Sequence, residues 1–188
     1  MSSLGMIKVF RSFPRELFRV NNGRQVKLRV QQPGRHLYDI LAKNGQVEPK
    51  ALHPSTYIAP NGASMRPNSP YQQSLVSTRF RGTDVIVFAV AKGTDLPEDL
   101  LLVHERSDHY SLQPSATMTI DDLNWKITKF MEKKAQVYTR EQWMETYPEA
   151  TEESNFYGFE PRSQNIWDFN TTLMQSQRPF TSKVAHLS

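Results

Sequence analysis

The sequence predicts an α+β protein, and three observations carry that prediction. Short apolar, β-branched runs gather in residues 7–30 and again in residues 84–113. Capped helical patterns come late, at Thr119 and Thr139. Between the two groups of strands lies a long segment, residues 49–70, with no period of either kind. Strands followed by helix, rather than strands alternating with helices, exclude a doubly wound βαβ reading. No G-x-G-x-x-G or G-x-x-x-x-G-K-[ST] loop occurs, which argues against Rossmann and P-loop sites.

Residues 7–13 (IKVFRSF) and 16–20 (ELFRV) read as extended, separated by Pro14. Residues 26–30 (VKLRV) alternate apolar and basic, the period of a half-buried strand, after a turn at Asn21-Asn22-Gly23. Residues 37–41 (LYDIL) fit a strand or a single helical turn. The strongest strand is residues 84–90 (DVIVFAV), apolar enough to be buried on both faces. Residues 100–103 (LLLV) and 109–113 (HYSLQ) are the next two. Thr119 with Asp122 has the T-x-x-D form of a helix start, followed by Leu123, Ile127, Phe130 and Met131 at helical spacing. Thr139 with Gln142 repeats the capping pattern before WMETY.

A chain of 188 residues fits one domain with a core. Apolar residues make up 38%, below the usual share, so part of the chain is expected outside that core. We expect a domain over residues 1–150 and a polar C-terminal extension over residues 151–188 with scattered aromatics. The absence of cysteine excludes disulfides and thiolate metal sites. Five histidines show no metal-ligand spacing. Residues 1–10 lack the pattern of a secretory signal, and no stretch approaches the roughly 18 apolar residues of a membrane span. The expectation is a cytoplasmic protein without a membrane partner.

Net charge is +4, unevenly spread. Residues 1–50 carry ten Lys/Arg and three Asp/Glu, whereas residues 141–160 carry six Glu and no Lys or Arg. This asymmetry fits an anionic ligand, or two halves that attract each other, or simply two solvated faces. No cluster of basic residues with interleaved aromatics stands out, which gives nucleic-acid binding little support.

Three stretches are candidates for chemistry. Residues 49–70 are too apolar and aromatic for a plain linker, and long loops inside compact domains are usually functional or disordered. Proline stiffens this loop, and Asn61-Gly62 is expected to turn the chain and present Ser64. No G-x-S-x-G elbow surrounds that serine. Residues 103–114 (VHERSDHYSLQP) crowd His104, Glu105, Arg106, Asp108, His109, Tyr110 and Gln113 at a strand end, too polar a set to be expected in a core. Arg19 lies among apolar residues of a strand, where it either snorkels to the surface or forms a fork for phosphate.

The run GTDLPEDLLLVHERSDHYSLQ, residues 93–113, resembles small NAD-dependent toxins with an ADP-ribosyltransferase-like fold, the family that includes a type VI secretion toxin of bacteria and its fungal relatives. ELFRV is similar to that family's short apolar strand bearing an arginine, and ALHPSTYIAPNGASM to its proline-containing loop ending in small hydroxyl residues. The resemblance covers about residues 7–131. It implies a split β core with peripheral helices, NAD as the bound nucleotide, an unknown macromolecular target and a neutralising immunity partner. It also implies that Arg19 holds a phosphate or ribose, that Ser64 supports the nicotinamide ribose, and that Gln113 stands where many such transferases carry a catalytic glutamate. Nearness in sequence adds Tyr57, Arg66, His109 and Tyr110 to the expected nucleotide-binding set.

Breaking the nicotinamide–ribose bond passes through an oxocarbenium-like state, as glycoside cleavage does. An arginine, a serine and a carboxylate or carboxamide can hold the diphosphate, fix the ribose and face the developing cation. Two other functions fit the same residues: a non-catalytic nucleotide- or protein-binding module, and an RNA-directed activity.

Overall fold

Apolar alternation and two well-capped helices produce most of the architecture seen in the computed structural model, which describes residues 7–34, 37–53, 55 and 57–151. In chain order the strands and α-helices are β1 (Lys8–Phe10), β2 (Leu17–Asn22), β3 (Gln46–Val47), β4 (Ala63–Met65), α1 (Pro70–Ser74), β5 (Val85–Val90), β6 (Leu100–Arg106), β7 (His109–Pro114), β8 (Met118–Thr119), α2 (Ile120–Lys134), β9 (Gln136–Thr139) and α3 (Arg140–Thr146). The strands form a four-stranded sheet in the order β1-β6-β7-β4, a three-stranded sheet β2-β5-β9, and a small pair β3-β8, all antiparallel. Antiparallel sheets with three α-helices make an α+β protein, as expected. The sequence-predicted extension, residues 151–188, lies almost wholly outside the described residues.

The helices begin where their side chains can satisfy free N–H groups. Thr119 accepts from the Asp122 amide at the start of α2, with Asp121 and Asp122 in the first turn and Lys133 and Lys134 in the last, the charge order that the helix dipole favours. At α3 the reciprocal capping box forms between Thr139 and Gln142. Ser69 caps α1, with Pro70 in its first turn.

One core cluster lies between the sheets and α2. It joins Leu17, Phe88 and Val90 with Leu100, Leu102, Tyr110 and Leu112, and is closed by Leu123, Ile127, Phe130 and Met131 from α2. Strand β5 is buried on both faces because its alternate residues Val87 and Ala89 enter a second cluster with Phe18, Val76 and Trp143. There Phe18 meets the Trp143 ring edge-on, with centroids 5.4 Å apart.

Residues 26–30 depart from expectation. Val26 and Leu28 are buried and alternate with exposed neighbours, so the apolar alternation does mark the core-facing side. The segment is nevertheless no strand beyond a single bridge from Val30 to Ile40. Its amides are satisfied by a helix instead: Val26 N–H donates to Thr128 Oγ1 and Leu28 N–H to Asn124 Oδ1, both at 2.9 Å. Period two reports which side faces the core, not which group completes the hydrogen bonds. The segment over residues 49–70 also differs. It contains a 3-10 turn at Lys50–Leu52 and the strand β4, so Ser64 lies on a strand rather than at the tip of a turn.

Trp143 is 0% exposed, stacks on Tyr147 and meets Phe18 edge-on. Trp143→Ala should lower the unfolding free energy by about 3–5 kcal/mol. Urea denaturation measures this, and a loss below about 1 kcal/mol would mean that the second cluster is dispensable.

Candidate active site

Strand β7 positions most of the site by simple alternation. Tyr110 and Leu112 face the main core, while His109, Ser111 and Gln113 point to the other side of the sheet. All six residues of β7 are buried, which corrects the expectation that so polar a strand end lies outside the core. Mutual hydrogen bonding accounts for this, since polar groups enter an interior when their partners come with them.

The centre of the network is Glu105. Its side chain is 1% exposed. It sits at a bulge in β6: His104 pairs with Tyr110 and Arg106 with His109, leaving Glu105 without an opposite residue. Its Oε1 accepts from the Tyr57 hydroxyl, from Ser111 Oγ at 2.9 Å and from Gln113 Nε2 at 3.2 Å. Gln113 Nε2 also donates to Tyr57 Oη at 2.6 Å and to Ser111 Oγ at 2.7 Å. The other carboxylate oxygen, Oε2, lies 2.5 Å from His109 Nδ1 as a charge contact outside hydrogen-bond alignment, and neither atom has a hydrogen-bond partner among the described residues. Burial pushes the Glu105 carboxyl up, but the contacts from His109, Tyr57 and Ser111 together bring it below the usual range, so it is ionised at neutral pH. Burial and that neighbouring carboxylate push the Tyr57 phenol well up, so it stays a donor.

His109 turns this charge toward Ser64. Burial lowers its basicity, Glu105 opposes that, and Arg66 and Arg106 add to the lowering, so the ring is neutral at pH 7. An ionised Glu105 can only accept, which places the ring proton on Nδ1 and leaves Nε2 as an acceptor. Nε2 is 3.0 Å from Ser64 Oγ, so the serine hydroxyl is the donor. Strand pairing sets this distance, because Ser64 on β4 lies opposite Ser111 on β7.

Arg19 reaches the same place from the other sheet. A backbone bridge joins the two sheets at Phe18 and Arg66, with N–H···O distances of 2.6 and 2.9 Å. The next residue, Arg19, donates from Nη1 to the Ser64 carbonyl at 3.1 Å. Part of its side chain reaches solvent, yet Nε is buried and has no partner among the described residues. Burial, eased by Asp39, lowers the guanidinium to about 10, so it remains a cation.

Arg19, Ser64, His109, Tyr57 and Gln113 therefore belong to one continuous network. Arg66 stands beside it, its charge engaged by Asp108 and its guanidinium 4.4 Å above the Tyr71 ring. Tyr110 points to the core side instead. It is 7% exposed on the core side, with its ring 4.4 Å from that of His104. Adjacent strand residues face opposite ways, so nearness in sequence does not decide which face Tyr110 takes. Ser111 and Asn61 were missed. Asn61 is buried and donates to Gln113 Oε1 at 3.3 Å. The i, i+2, i+4 spacing of His109, Ser111 and Gln113 was the available signal for Ser111. Nothing local pointed to Asn61. Two grooves open elsewhere, one between residues 25–27 and α2 and one between β9 and α3, and no residue of the network lines either.

A comparison with known families gives this geometry its context. The chain belongs to the Tse2 ADP-ribosyltransferase toxin family, whose model matches residues 15–143 of 188. That span contains every residue of the network and reaches Trp143. No curated protein matches the chain. Among the described residues no helix is long and apolar enough to cross a membrane.

Two predictions follow from the geometry. A Cβ on Gly62 would run into the Leu112 carbonyl oxygen and lie 3.0 Å from Gln113 Cγ. Gly62→Ala should therefore displace Gln113 and cost roughly 1–3 kcal/mol; calorimetric unfolding at the wild-type midpoint would expose the idea if no change were seen. His109 has a folded-state pKa below its ordinary 6.5, so its contribution to stability is complete above that pH and is lost as pH falls. Urea midpoints between pH 8 and 5 should fall more gently with acid in His109→Gln, by up to about 1.4 kcal/mol per pH unit. Equal slopes in the two proteins would contradict the buried, neutral imidazole.

Proposed function

We propose that the protein binds NAD and cleaves its nicotinamide–ribose bond, transferring ADP-ribose to a macromolecular target as a toxin. The observation that carries this reading is the unbroken chain of contacts Arg19–Ser64–His109–Glu105–Gln113, which unites three residues far apart in sequence. The family's own name supplies the reaction class. On this reading the two sheets are the halves of an ADP-ribosyltransferase-like split β core, and Arg19 stands at their joint.

The residues present suit such a substrate. Arg19 is a largely desolvated cation whose buried Nε has no partner among the described residues, which fits a phosphate oxygen, the best acceptor for a guanidinium fork. Ser64 is half-buried and fits a ribose hydroxyl. Gln113 is neutral, and the ionised carboxylate beside it is Glu105, so the negative charge that favours an oxocarbenium-like state comes from position 105. Glu105 is too deeply buried to touch a substrate directly, so its effect passes through His109 and Gln113. Residues 151–188 are a polar extension of the toxin domain, and a neutralising immunity partner would be expected to cover the Ser64 face.

The test is nicotinamide release from NAD by the purified full chain. Release should fall at least about 100-fold in Arg19→Ala, through loss of positioning and of charge complementarity. Gln113→Ala should lower it as well. No release by folded protein at any concentration would leave the second reading, a non-catalytic module using the same arginine; its motive is the neutral amide at position 113.

A further inference from the structure

Ser64, His109 and Glu105 make an arrangement that no local motif announced. The carboxylate lies 2.5 Å from His109 Nδ1, and His109 Nε2 lies 3.0 Å from Ser64 Oγ. Three different strands supply the three groups, so the constellation is recognised by geometry and roles and not by sequence order. Burial is graded along it: Glu105 and His109 side chains are 1% and 8% exposed, while Ser64 is half-buried.

We propose that Ser64 Oγ is a nucleophile activated by His109, and that the site carries a covalent transfer activity onto this serine. His109 acts as the base, and Glu105 is a positioning residue that fixes the ring and stabilises the imidazolium. The ligand class is a molecule with an electrophilic carbon or phosphorus bearing a good leaving group and an anionic group for Arg19. Where the substrate is NAD, the transferred group rests on the function proposed above. In that step Oγ bonds to ribose C1′ as the C1′–nitrogen bond breaks. The bonding electrons leave with nicotinamide as a neutral ring, and the Oγ proton passes to His109 Nε2 and then to solvent. A neutral leaving group needs no acid, so one imidazole suffices.

The charged and titratable groups around His109 agree with a base. Glu105 and Arg106 lie near it from β6 and Arg66 from the residue after β4, with Asp108 holding Arg66; the two arginines oppose its protonation and Glu105 favours it. Reactivity should therefore persist at neutral pH and fall only in acid.

A phosphonofluoridate reagent tests this without NAD. The intact full chain is treated at pH 7.5 and its peptides are mapped by mass spectrometry. Ser64 should be labelled, and Ser64→Ala should not react. Labelling should slow by about 10²-fold or more in His109→Gln and in Glu105→Gln, the range of general-base contributions. In wild type the rate should fall with acid as His109 takes up a proton, and in His109→Gln this dependence should vanish. No label on Ser64 in folded protein, or a wild-type rate in folded His109→Gln, overturns the proposal. Nicotinamide release on the same preparation separates the two readings. Labelling without release keeps the nucleophile and removes NAD as its substrate, whereas release without labelling does the reverse.

Discussion

Glu105 brings a negative charge into the interior, where burying an ion costs several kcal/mol unless donors surround it. Tyr57, Ser111, Gln113 and His109 are those donors, and each is buried or half-buried largely because it serves this carboxylate. The requirement propagates outward. Tyr57 draws the segment after the Lys50–Leu52 turn onto the sheet, where it packs against Ala51, Leu101 and Val103. His109 transmits the charge to Ser64, and through the Ser64 carbonyl the network touches Arg19. Removing Glu105 would leave the Tyr57 and Ser111 hydroxyls without their acceptor and His109 without its charge partner, a larger penalty than the loss of one bond.

The neutral side chain at position 113 follows from the same constraint. Gln113 Nε2 faces Tyr57 Oη and Ser111 Oγ, both of which pass their own protons to Glu105. A carboxylate there would meet an ionised neighbour and force the pair to share a proton. Tyr57 and Ser111 would have to choose between two acceptors. Gln113 is thus the complement of a charge already present, and the bulge at Glu105 aims that charge.

The two sheets meet at the Phe18–Arg66 bridge, and the site lies beside that joint. Arg19 is one residue from the bridge on β2, and Ser64 is two residues from it on β4. Close approach at Gly62, whose amide donates to the Asp39 carbonyl at 2.8 Å, presses the segment before β4 against β7. The position of Arg19 relative to Ser64 therefore depends on packing between sheets, with Phe18 anchored on Trp143 on the far side.

Much of the fold was legible in the sequence because it rests on local rules. The apolar runs of β5 and β6, the caps at Thr119 and Thr139, and the placement of strands before helix depend on neighbours within a few residues. Arg19, Ser64 and Gln113 were legible as candidates through a family resemblance, and Val26 and Leu28 as buried through their alternation. What the sequence could not determine was partnership. The amides of Val26 and Leu28 pair with α2, about a hundred residues away, and Ser64 sits on a strand whose three residues show no period alone. The relay through His109 needs a bulge and two strand registers, and the core-facing side of Tyr110 needs the direction of β7. Composition and period fix which residues seek the interior, whereas only tertiary packing decides which buried polar groups meet, because each needs a partner from elsewhere in the chain.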